Sequence, residues 1–145
     1  MKKMSFFVTV ICVAMLAITT NPAQAAPHST FYFEKVCDGS VDPNICVIQN
    51  AAAPFEVLNE GTIEYFDHAY FENPAGMVIE SATVLVTASD GSQATGHVRW
   101  VKDRGYYTLL PGTGSLQNLH LIGNVATISW DTMTFSVSGK YFYTP

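Results

Sequence analysis

The sequence predicts an all-β protein: a closed antiparallel barrel of about eight strands with one short disulfide loop near its N-terminal end. Three observations carry this. No segment after residue 26 keeps a sustained 3.6-residue apolar period; short runs rich in Val, Ile, Thr, Tyr and Phe recur instead. Gly, Pro, Asn and Asp divide these runs, and all 10 Gly and six of the 7 Pro fall after residue 25. Several runs are also long for their number, which favours a closed barrel over an open sandwich because closure removes exposed edges.

Residues 1–25 read as a secretory signal peptide. Lys2 and Lys3 form a positive start, residues 6–18 are an uncharged apolar run, and Asn21-Pro22 precede the small-x-small site Ala23-Gln24-Ala25. The run is too short to span a membrane comfortably. Cys12, preceded by Ile11, makes a poor lipidation site. Cleavage after Ala25 leaves residues 26–145 as one barrel domain that does not span a membrane and is secreted or periplasmic. Without Lys2 and Lys3 its net charge becomes −7, against −5 for the whole chain. That acidic balance argues against nucleic acid as a partner, which requires a basic patch.

Candidate strands lie at 31–36, 45–49, 62–66, 77–88, 94–102, 106–110, 115–121, 125–130 and 132–143. Cys37 and Cys46 flank a turn-rich stretch between the first two, and an even cysteine count in an exported chain favours a bridge. Their spacing matches neither a redox nor a zinc pattern. Asp90-Gly91 reads as a two-residue hairpin turn and Asp103-Arg104-Gly105 as a three-residue turn with Gly in the left-handed position. Residues 130–132 mark a further reversal, and Gly139 within the last strand suggests a bulge.

In the C-terminal half, Gly96-His97-Val98-Arg99-Trp100, then 105–110, then Pro111-Gly112-Thr113-Gly114-Ser115-Leu116 look like the central strands of allene oxide cyclase-like and dirigent-like barrels. Residues 136–143 resemble the last strand of those families. The chain also resembles small exported bacterial proteins of unassigned function that carry this barrel with an N-terminal cysteine pair. The resemblance, over roughly 77–143, implies a β-barrel that shapes an apolar small molecule during cyclisation or coupling. The families' catalytic carboxylate, proton-transfer acids and water ligands match no position here. The fold therefore transfers better than the activity.

Hairpin register points to candidate site residues. With Asp90 and Gly91 as the two turn residues, Val84 opposes His97 and Ala82 opposes Arg99, with Glu80 diagonal to Arg99. The second turn sets Arg99 opposite Leu109 and Val101 opposite Tyr107. One face then gathers Glu80, Ala82, Val84, His97, Arg99, Tyr107 and Leu109. The other, with Ile79, Leu85, Val98, Trp100, Thr108 and Leu110, is the more apolar and reads as core. Glu80, His97, Arg99 and Tyr107 together offer a carboxylate, an imidazole, a guanidinium and a phenol for ligand binding or proton transfer. The alternative is an exposed sheet face whose Glu80–Arg99 pair contributes well under ~1 kcal/mol. A register slip of one residue would dissolve the grouping.

No metal or cofactor motif emerges. Asp67 and His68 fall in a predicted loop, with Glu64 close in sequence but without zinc spacing, and Gly112-Thr113-Gly114 lacks the Lys and helix of a phosphate loop. No serine occupies a nucleophile elbow. Three readings remain: a barrel that binds a small apolar molecule, an enzyme of the cyclase or dirigent kind, and an envelope interaction module, oligomeric through its aromatic outer surface.

Overall fold

Alternation of inward and outward side chains marks most of the strands. On the first, Phe31, Phe33 and Lys35 are buried while Tyr32 is exposed and Glu34 half-buried. A computed structural model describes residues 29–145 except residue 103; the leader reading therefore lies outside the described residues. Eight strands form a closed barrel: β1 (Ser29–Val36), β2 (Ile45–Gln49), β3 (Thr62–Glu72), β4 (Val78–Thr87), β5 (Gln93–Val101), β6 (Arg104–Leu109), β7 (Leu119–Ser129) and β8 (Thr134–Tyr143). Each strand pairs antiparallel with the next, and β8 closes on β1. The predicted architecture is therefore the observed one. No helix among the described residues is long and apolar enough to cross a membrane.

Two strand assignments differ from expectation by more than a residue or two at an end. The third strand continues to Glu72 across a bulge between Phe66 and Ala69, where Asp67 adopts φ 54°. This carries His68 into a strand rather than a loop. The runs at 115–121 and 125–130 are one strand, β7, while Ser115 and Leu116 form a short 3₁₀ turn (Gly114–Leu116). The bulge expected at Gly139 lies instead between Thr127 and Ser129 on the neighbouring strand. Gly139 pairs regularly with Gly123, and there a Cβ would stand 2.2 Å from the Ile122 carbonyl oxygen. The constraint at Gly139 is close backbone approach.

The interior is filled by side chains, as in small barrels that alternate small with large inward residues. Inward Gly123 leaves room for Phe31, whose Cζ would lie 2.8 Å from a Cβ there. Inward Gly105 is covered by the Trp100 ring, 3.1 Å from the same hypothetical atom. One end of the barrel is plugged by the 3₁₀ turns Glu56–Leu58 and Gly114–Leu116, which bury Leu58 and Leu116. Phe55 packs edge-on against Tyr141 there, with centroids 4.7 Å apart. At the opposite end aromatic side chains form the closure. Trp100 and Trp130 each meet Phe135 edge-on, at 5.9 and 5.7 Å, and Trp130 is 61% exposed. The Cys37 and Cys46 sulfurs lie 1.98 Å apart at this second end, linking the end of β1 to the start of β2 as the sequence predicts.

Candidate functional site

The four residues grouped by the sequence occupy three different places. The cause is register. Val84 pairs with Gly96, not with His97, because the β4–β5 connection is a three-residue loop, with Ala88 and Ser92 bonded at its base (2.8 Å). Gly91 there takes φ 83°, and Asp90 accepts the Ser92 amide at 2.9 Å. On the next hairpin Val101 pairs with Arg104, with Lys102 at φ 58°, so Val98 rather than Val101 shares a level with Tyr107. Both hairpins slip by an odd number of residues, and each such slip reverses faces. The two reversals cancel between β4 and β6 and leave β5 alone inverted.

His97 and Arg99 therefore point outward. They line a shallow groove of about 330 Å³ on the outer wall, with Asp67, Ser81, Tyr106 and Thr108. Val98 and Trp100 point inward on β5 with Ala94 and Gly96, but the apolar face expected at Leu85, Thr108 and Leu110 is not the core on those strands. Glu80 sits at the rim opposite Trp100, where its carboxylate meets His68 Nδ1 at 3.0 Å with both side chains about one-third exposed. It also raises the phenol of Tyr70 above the ordinary tyrosine range through its charge. An exposed pair of this kind contributes little to stability. No Glu80–Arg99 ion pair occurs among the described residues. Tyr107 alone of the four is inside: it is fully buried, and its hydroxyl has no hydrogen-bond partner.

The interior contains a second cluster, around Lys35. This lysine is 2% exposed, and its Nζ donates to the Tyr65 hydroxyl at 2.5 Å. The same atom lies 4.6 Å from the Tyr65 ring centre, 5.0 Å from that of Phe135 and 5.4 Å from that of Trp100. Among the described residues no carboxylate oxygen approaches it within salt-bridge distance. Placing an unpaired ammonium in such a site costs several kcal/mol. Cation–π contacts offset this by roughly 0.5–2 kcal/mol each. Burial wins, and it lowers the Lys35 pKa to about 7.

Neighbouring phenols respond to the same burial. Tyr65 is held well above the ordinary tyrosine range, and Tyr107 is raised by burial and by the nearby Tyr65. Thr127, level with Phe135 across β7–β8, buries a hydroxyl that also lacks a partner. Since Lys35 is level with Phe135 across β1–β8, Thr127 and Lys35 flank one ring. An amine with one hydrogen bond and two orphaned hydroxyls thus lie in the barrel interior. Buried polar groups are ordinarily satisfied, so this concentration marks the site.

Lys35 and Tyr65 were not among the candidates from sequence, although a signal existed. The alternation Phe31-x-Phe33-x-Lys35-x-Cys37 sets the lysine on the same face as two phenylalanines. No group of three or more His, Cys, Asp or Glu residues able to hold a metal occurs among the described residues. No family model, curated protein or solved structure matches the chain.

Proposed function

We propose that this chain is an exported β-barrel that binds a small, largely apolar molecule at the aromatic end of its interior, with Lys35 engaging the molecule's polar end. The buried, uncompensated amine carries the reading. A protein that kept Lys35 only for packing would do better with an apolar residue of similar length, because an unpaired buried charge is a net cost. Lys35 sits beneath Trp100 and Phe135, at the end closed by side chains rather than by a backbone turn, so a ligand would enter by displacing those side chains. Apolar walls with a few convergent polar groups are the usual make-up of a ligand site. The export part of the reading rests on the sequence of residues 1–25 and on the cysteine pair, a feature favoured in exported chains.

The test is retention. Purified protein is soaked in a lipid extract, desalted, and the retained small molecules are identified by mass spectrometry. The wild type and a His97→Ala/Arg99→Ala variant are expected to retain the same species, and Lys35→Met to lose it. Retention by none of the proteins, or equal retention by Lys35→Met, would refute the reading.

A further inference from the structure

We propose that Lys35 captures an apolar aldehyde or ketone covalently, as an imine formed inside the barrel. This rests on the interior site described above and specifies the polar end of its ligand as a carbonyl carbon.

The argument begins with what surrounds Nζ. Trp100, Phe135 and the Tyr65 ring present apolar surface, and the described residues place no carboxylate beside the amine to hold it charged. The titratable group facing it is the phenol of Tyr65 on β3, whose own neighbour is Tyr107 on β6; Glu80 stands at the rim, engaged with His68. A desolvated lysine in an apolar pocket is the form of this side chain that acts as a nucleophile toward carbonyls. With its pKa near 7, about half the Lys35 amine is neutral at neutral pH. Capturing a carboxylate instead would require both charges to be desolvated, whereas an amine and an aldehyde combine as neutral species.

Tyr65 completes the geometry. Its oxygen accepts a hydrogen bond from Nζ, which leaves its own O–H free to donate to an incoming carbonyl oxygen. Burial keeps that phenol protonated. The step balances as follows. The nitrogen lone pair forms a bond to the carbonyl carbon, and the C=O π pair moves to oxygen, which takes the Tyr65 proton while Nζ returns one to Tyr65. The resulting carbinolamine loses its C–O bond, and water departs with the second nitrogen proton. Amine and aldehyde give imine and one water, with no oxidant or reductant. The Tyr107 and Thr127 hydroxyls, both unpartnered, are available to a second polar group on the ligand.

The experiment treats the purified chain with octanal and sodium cyanoborohydride at pH 7, and in parallel titrates it with octanoate while following tryptophan fluorescence. One octyl group per chain is expected, mapped to Lys35, added at least tenfold faster than at Lys102 or Lys140 and absent from Lys35→Met. Its rate should level off near pH 7, and Tyr65→Phe should slow it without removing reversible octanal binding. If octanal or octanoate binds reversibly and no adduct is fixed at Lys35, the imine is refuted and the binding site stands. If neither binds nor reacts, both fall. Indiscriminate labelling of all lysines also overturns the imine. Because Lys35→Met changes a buried residue, adduct mapping in the wild type decides the question independently of that variant.

Discussion

Lys35 on β1 and Tyr65 on β3, 30 residues apart in sequence, meet inside the barrel through a 2.5 Å hydrogen bond from Nζ to the phenol oxygen. Closure of the sheet, with β2 between the two strands, brings them together. The bond joins two groups whose charged forms are both penalised by burial, so the pair is stable as amine and phenol. Its consequences are measurable in the folding equilibrium.

The first concerns pH. The folded-state pKa of Lys35 is about 7, below the roughly 10.4 of an unfolded lysine. Between those values the unfolded chain binds more protons, so stability rises with pH through that window. Below pH 7 both states are protonated, and the contribution of several kcal/mol is absent. Tyr65 and Tyr107 act in the opposite sense above about pH 10, where their raised values make the unfolded state release protons first. Urea unfolding should therefore show stability climbing from pH 7 to about 9.5. Lys35→Met should abolish the climb and be more stable than wild type at pH 6. A flat wild-type profile would contradict the burial of this amine.

Tyr65→Phe tests the hydrogen bond itself. Removing the phenol oxygen leaves Nζ with no acceptor among the described residues while the other rings around it remain, at a cost of about 1–3 kcal/mol. The loss should also move the acid-side inflection of the stability profile further below 7, since the ammonium form loses its only hydrogen-bond partner seen here. An unchanged inflection would show that the bond contributes nothing to the ammonium form.

The inward position of Lys35 is legible in the sequence, and so is the strand count. Alternation within one strand is a local property, and Phe31, Phe33 and Lys35 display it without reference to any neighbour. What joins strands is not local. The β4–β5 register turns on whether Ser89 belongs to the loop, and that depends on contacts from elsewhere. Ser89 is held by the Val57 carbonyl, while Ser92 Oγ accepts the Ser115 amide at 2.9 Å. Asp-Gly composition alone suits either loop length. The position of Leu116 has the same cause: its run is apolar enough for a strand, but the barrel end needs a plug, and the 3₁₀ turn places Leu116 there. The candidate site from sequence failed at the hairpins, while Tyr107, through two cancelling slips, kept the face of Ala82 and Val84, which is the interior and not the side opposite the core.

The bridge between Cys37 and Cys46 stabilises the weakest seam. β2 pairs with β1 over three positions and with β3 over another three, whereas β7 and β8 pair over ten. A cross-link at sequence separation 9 restricts the unfolded chain by about 2–3 kcal/mol on loop-closure grounds. Reduction should lower the urea midpoint accordingly with little change in slope. Amide exchange should accelerate first at Ile48, whose ladder depends on β2 staying in place. Global loosening with equal acceleration in β7 would argue that the bridge does not act locally.

Gly96 is the sharpest steric constraint of the barrel wall. A Cβ there would stand 1.9 Å from the Thr108 carbonyl oxygen and 2.9 Å from the Leu109 Cα, both backbone atoms of the paired strand. A rotamer change cannot relieve such a clash, so β5 and β6 would have to separate at the Gly96–Leu109 pair, two residues from where Val98 and Tyr107 meet. Gly96→Ala should cost about 3 kcal/mol or more, as overpacking against backbone does. Gly39, in the disulfide loop, has no atom within 4 Å of its hypothetical Cβ and serves as the control. Gly39→Ala should leave stability within about 0.5 kcal/mol of wild type. Urea unfolding of the two variants side by side decides the matter. If Gly96→Ala unfolds like Gly39→Ala, β5 and β6 do not approach this closely, and the register that turns Val98 and Trp100 inward fails with it.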